Sequence, residues 1–205
     1  MTGARIRSTM IAVAAMAMVA LPPAVSGQVP EGPLRLRAFV VNMTNVRTGS
    51  NNVFEITLDK YSTAEERQDL IDTMASGGQD ALLKKMERLP IKGRIRIPGW
   101  VGPDPMNYRL GWDLRYALRT PMEDGGTRLV LGTDRPMSMT EIRNQPRTVD
   151  YPFTFIQIHL PKEGKGEGRA TGATKVIFDK KKNMIELERY SAGTVLLNEV
   201  TVEKK

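Results

Sequence analysis

The chain contains no cysteine and a single histidine. The first absence excludes disulfides, cysteine nucleophiles and thiolate-ligated metals, so stability must come from packing. The second excludes the usual zinc sets, which need three or four nitrogen and sulfur ligands. A Ser-His-Asp site would need His159 as its base, and no serine stands in a nucleophile-elbow context. Phosphate-cradling loops are missing too. The glycine-rich "GKGEGR" lacks the Walker spacing, and no helical pattern follows it. Neither a catalytic residue nor a metal ligand is assigned, and no cofactor is expected.

Long apolar runs are equally scarce. The one compact run, Ile11 to Pro22, is shorter than the ~20 residues of a membrane-spanning helix. It follows Arg5 and Arg7, which have no acid beside them, and precedes "PAVSGQ" with small residues at Val25 and Gly27. Charged, apolar and small segments in that order make a secretory signal. Residues 1–27 are therefore expected to be cleaved, with the mature chain starting near Gln28. The expected location is periplasmic or extracellular, with no transmembrane segment. A lipid anchor on cysteine is excluded. The formal charge of +7 loses two units with that segment and leaves a basic exported protein. Ordinary solvated lysine and arginine is the favoured account of that charge; if it serves a partner, anionic lipid, polysaccharide or phosphorylated glycan is expected before nucleic acid.

What is present is alternation. Residues 28–205 fit one domain on length, and about nine stretches alternate apolar and polar residues as strands do. They include "LRLRAFVVNM", "NVFEITLDKY", "IKGRIRIP" and "TRLVLGT". In "WDLRYALR", Trp112, Leu114, Tyr116 and Leu118 are expected to face inward, with Asp113, Arg115 and Arg119 outward. "PFTFIQIHL" is apolar on both faces, which suits a central strand; His159 shares a face with Phe153, Phe155 and Gln157. "TKVIFD", "MIELERY" and "VLLNEVTV" complete the set. "MEDGGT", "DKKKN" and "SAGT" read as turns. "PKEGKGEGRATG" reads as a charged, glycine-rich loop.

One stretch is helical. Thr63 and Glu66 form a capping box. Leu70, Ile71 and Met74 make an apolar stripe, and Gly77 and Gly78 stop it. Leu82, Leu83, Met86 and Leu89 form a second stripe, ended by Pro90. The expected product is a helical hairpin over 63–89 that covers an open end or edge of the sheet. The fold class is thus mainly β (α+β): an antiparallel β-barrel or two-layer β-sandwich of about nine strands with an inserted αα-hairpin.

Function is sought in the links. If successive strands run antiparallel, the two longest irregular links, 98–111 and 133–152, fall at one end, opposite the helical pair. Links of this length in a compact domain are commonly functional. They carry Trp100, Tyr108, Arg109, Arg135, Arg143, Arg147, Asp150 and Tyr151. Arginine with aromatics is the composition of interaction hot spots. The expectation is a non-enzymatic exported binding or interaction protein whose loop end meets an anionic or glycan-like ligand or an envelope protein. Two rivals are an extracytoplasmic hydrolase using loop carboxylates such as Asp104, Asp134, Glu141 and Asp150, and an envelope structural protein.

Overall fold

A computed structural model describes residues 32–43, 49, 51–98, 111–137, 153–174, 176–179, 184–187 and 195–203. Residues 1–27, expected to be a cleaved signal, lie outside them. The strands are β1 (Leu34–Asn42), β2 (Asn51–Leu58), β3 (Gly93–Arg96), β4 (Gly111–Pro121), β5 (Thr127–Thr133), β6 (Phe153–Leu160), β7 (Gly166–Thr174), β8 (Val176–Asp179), β9 (Met184–Leu187) and β10 (Val195–Val202). The helical element α1 spans Ala64–Arg88, between β2 and β3. Eight strands close into an antiparallel barrel in the order β1-β10-β7-β6-β5-β4-β3-β2, and β8 and β9 form a separate two-stranded sheet. The alternative of a sandwich is set aside.

The barrel interior follows from alternation. Leu34, Leu36, Ala38 and Val40 of β1 point inward while Arg35, Arg37 and Phe39 point out. Ile56, Ile95, Leu114, Leu129, Leu131, Ile156, Ile158 and Leu197 meet inside, each at 0% exposure. Eight strands leave an interior just wide enough to be filled by side chains, and here it is a packed core. At one end Thr133 and Thr154, both buried, tie β5 to β6. The Thr133 hydroxyl donates to the Arg135 carbonyl at 2.6 Å and accepts the Thr154 N–H at 3.1 Å.

Two expectations about strands fail, each for a physical reason. The stretch read as a charged loop is β7, a barrel strand between β6 and β10. Its inward positions are Gly166, Gly168 and Ala170; Gly168 and Ala170 pair with Ile158 and Ile156 of β6, and Gly166 with Val200 of β10. A Cβ on Gly168 would lie 3.1 Å from Ile158 Cγ1 and closer still to the Gln157 carbonyl. The wall needs a missing side chain there, so the strand carries no apolar alternation. Two of the expected strands, "TKVIFD" and "MIELERY", instead supply β8 and β9, outside the barrel.

The second failure is in β4. Leu114 pairs with Thr133, but Tyr116 pairs with Gly132, so Arg115 is an extra residue, a β-bulge. Beyond it the faces exchange. Ala117 takes the inward position at 0% exposure, and Tyr116 and Leu118 turn outward rather than inward. Arg119 moves to the inner side near the barrel's end, where it acts on Tyr61.

Strand directions put the roots of 98–111 and 133–152 at the same end of the barrel, as antiparallel alternation requires. The helical element leaves from the other end, after Leu58, and returns to Gly93, Leu58's pairing partner. It does not remain there as an end cover. Leu70, Met74, Leu82 and Met86 pack with Phe153 in a cluster separate from the barrel core. Phe153 lies on the outer face of β6 at its far end. The helices therefore run along the outside of the wall. The outer face of β6 is thus covered at Phe153 and opens toward the exposed Gln157.

Candidate functional site

The site lies between the helices and the wall. Within α1, Gly78 has φ 69° and ψ −163°, a non-helical break. Lys85 Nζ lies 2.5 Å from Asp69 Oδ2, whereas sixteen residues of straight helix would separate them by roughly 24 Å. The second segment therefore folds back on the first, and α1 is a hairpin turned at Gly78.

Both feet of the hairpin are fastened to the outer wall. At the start, Thr63 and Glu66 form the expected capping box, with the two bonds at 3.0 and 3.1 Å. Lys92, on the outer side of the barrel yet buried, has its Nζ 2.6 Å from both Glu66 oxygens. The Ser62 N–H donates to the Ala117 carbonyl at 2.8 Å, and the Ala117 N–H donates to the Ser62 hydroxyl at 3.1 Å. At the finish, the bulged Arg115 donates to the Leu89 carbonyl at 2.8 Å and to Asp134 at 3.0 Å. A cation on the last carbonyls of a helix satisfies orphan acceptors and opposes the helix dipole.

Between these feet a cleft of about 760 Å³ remains. Its floor is the outer face of β4 to β7, and the register orders that face into ranks. Tyr116, Gly132, Phe155 and Thr171 form one rank across the four strands. Leu118, Val130, Gln157 and Arg169 form the next, followed by Thr120, Arg128, His159 and Glu167. The roof is Arg67, Leu70, Ile71, Leu82 and Met86 of the hairpin. Gly132 hollows the floor: an added Cβ would stand 2.9 Å from the Phe155 ring and 3.3 Å from Tyr116 Cβ. Tyr116 and Phe155 of the first rank and Leu70, Ile71, Leu82 and Met86 of the roof are buried or half-buried, whereas Arg67, Arg128, Gln157 and Arg169 are exposed. The cleft thus has an apolar depth and a basic mouth.

Electrostatics sharpen this polarity. Burial raises the Tyr116 phenol above its ordinary value, and the Arg67 guanidinium, which hydrogen-bonds it, acts in the opposite sense. Tyr116 therefore stays a neutral hydroxyl. His159, at the lower rim, places Nε2 2.9 Å from Asp124 Oδ2. Asp124 also accepts the Gly126 N–H at 2.8 Å, and these two contacts, the amide foremost, hold its carboxyl below the usual range. The pair fastens the β4–β5 turn to β6, which agrees with a structural role for the histidine.

The residues expected from the links are differently placed. Trp100, Tyr108, Arg109, Arg143, Arg147, Asp150 and Tyr151 lie outside the described residues. Arg135 is described, and its guanidinium donates to the Gly111 carbonyl, joining the end of β5 to the start of β4. Asp134, one of the loop carboxylates, is engaged by Arg115. Asp104, Glu141 and Asp150 lie outside the described residues. No group of three or more His, Cys, Asp or Glu is arranged to hold a metal ion among the described residues. Sequence patterning misses the cleft because alternation directs Tyr116 and Leu118 to the core and the glycine-rich composition makes Arg169 part of a loop. The signal that pointed to it was the doubled apolar character of β6.

Comparison with protein families, with curated proteins and with solved structures finds no match to this chain.

Proposed function

We propose that the protein is an exported, non-enzymatic binding protein whose ligand lies in the cleft between the helical hairpin and the barrel wall. One observation carries this reading: a cleft of about 760 Å³ whose depth is apolar and whose mouth is basic. Small-molecule sites are typically clefts of ~300–1,000 Å³, mostly apolar, with a few polar groups that orient the ligand. The barrel core is filled, so the outer wall is the better place for a guest. A rigid eight-stranded scaffold beneath and a hairpin fastened at both feet above give such a site fixed walls.

The test is a thermal-shift screen of the mature chain against apolar, amphipathic and anionic small molecules. It is repeated on Val130→Trp, which fills the floor at the centre of the second rank. Ligands that raise the melting temperature of the native protein and fail to raise that of the variant support the reading. Stabilising ligands that ignore the substitution overturn it.

A second reading keeps the loop end as a surface for an anionic or glycan-like partner or an envelope protein. It is favoured by the roots of 98–111 and 133–152 sharing one end of the barrel, joined by the Arg135–Gly111 bond. Replacing Arg143 and Arg147 by alanine should then weaken binding of that partner and leave the melting temperature unchanged.

A further inference from the structure

We propose that the ligand of the cleft is a long-chain carboxylate, a free fatty acid, with its chain under the hairpin and its headgroup between Arg128 and Arg169. This rests on the cleft being the binding site and adds the chemical class of the guest.

The charges at the mouth are the reason. Several described basic side chains on or beside the wall already have acidic partners. Lys92 holds Glu66, Arg115 holds Asp134, Arg96 holds Glu55 and Lys85 holds Asp69. The side chains of Arg128 and Arg169 have no ion pair or hydrogen bond among the described residues, and both line the cleft. They stand two strands apart, on β5 and β7, in adjacent ranks. Two strand spacings and one rank offset put their Cα atoms roughly 12 Å apart, a distance two arginine side chains can close on one small anion. Guanidinium groups bind carboxylate in a planar, two-pronged fashion. Gln157, paired with Arg169 across the ladder, adds a neutral donor at the same place.

The depth selects the rest of the molecule. Behind the mouth the walls are Leu118, Val130 and Phe155 below and Leu70, Leu82 and Met86 above. Each methylene moved from water into such surroundings is stabilising. A ligand that satisfies both halves is apolar for most of its length and anionic at one end. One acyl chain suits a cleft of about 760 Å³.

The experiment is calorimetric titration of the full chain with palmitate, with hexadecanol and with saturated acids of shorter chain. Palmitate is expected to bind at least tenfold more tightly than hexadecanol, and affinity should rise with chain length. The double variant Arg128→Gln with Arg169→Gln should lose at least tenfold in palmitate affinity and retain its hexadecanol affinity. Equal affinity for acid and alcohol, or undiminished palmitate binding by the double variant, overturns the carboxylate assignment and leaves the apolar cleft standing. Palmitate binding that survives Val130→Trp overturns both this assignment and the cleft. Circular dichroism and melting temperature of each variant, read alongside, establish that loss of binding is not loss of fold.

Discussion

Lys92 illustrates how much one residue decides. Its neighbours alternate as a strand should, with Ile95 inward and Arg96 exposed. Yet Lys92 is 2% exposed, because the foot of the hairpin lies over it. Burying an ammonium is costly unless it is paired and hydrogen-bonded, and Glu66 supplies that pairing while also capping the helix. Burial raises the Glu66 carboxyl, but the Lys92 ammonium and the Thr63 amide outweigh it and hold the group below its ordinary value. A carboxylate depressed by folding stabilises the native state above its unfolded pKa. That contribution is lost as pH falls through the lowered native value. Glu66→Gln should therefore cost about 3–5 kcal/mol at neutral pH, since it strands a buried charge. It should also flatten the acid limb of the stability profile. Urea midpoints of both proteins from pH 7 to pH 3 provide the check. Gly132 acts at the same scale by lacking a side chain. Gly132→Ala should cost roughly 1–3 kcal/mol through overpacking against Phe155, and narrow the cleft. A lowered urea midpoint together with weakened ligand binding is the expected pair of results.

At the scale of elements, the hairpin and the wall share a small core of their own. Leu82 and Met86 are 1% and 2% exposed and pack with Phe153. Leu82→Ala should cost about 2–5 kcal/mol, the range for emptying a core site. The ion pair between Lys85 and Asp69 joins two partly exposed side chains, 37% and 50% exposed. Asp69→Asn should change stability by no more than about 1 kcal/mol, as exposed pairs do. Denaturant midpoints of the two variants separate the apolar contact from the charged one. The hairpin was legible in the sequence because its signals are local: a capping box, two apolar stripes and a glycine break. Where it docks was not legible. An apolar stripe records that something is covered but not which surface covers it. The second half of that information lay in Phe153 and Phe155, roughly 65–85 residues downstream of the stripes and without periodic relation to the helix.

At the scale of the whole molecule, the barrel depends on the meeting of its first and last strands. β1 pairs with β10 along most of its length, from Leu36 with Val202 to Asn42 with Val195. These contacts span nearly the entire described chain, so closure rests on the least local pairing in the fold. Truncation before Val195 should leave β1 and β7 as open edges, which invite pairing between chains. The expected outcome is loss of the cooperative thermal transition and appearance of oligomers in size-exclusion chromatography. A monomeric truncated chain with an unchanged transition would show that the barrel does not need closure.

The sequence by itself determined the local features. Mainly β character, most strand positions, the capped helical hairpin and the antiparallel sense of short links all follow from neighbouring residues. Period-two alternation, turn chemistry and capping act within a few positions. Tertiary structure alone decided which apolar residues are core and which line the cleft. The bulge at Arg115 exchanges the faces of β4, and a one-residue shift moves every later side chain to the other side. Bulges depend on the partner strand's register, which no window of sequence contains. Tertiary contact also made a strand of Gly166–Thr174. There the neighbouring strand demanded small residues, and small residues carry no hydrophobic pattern to be read.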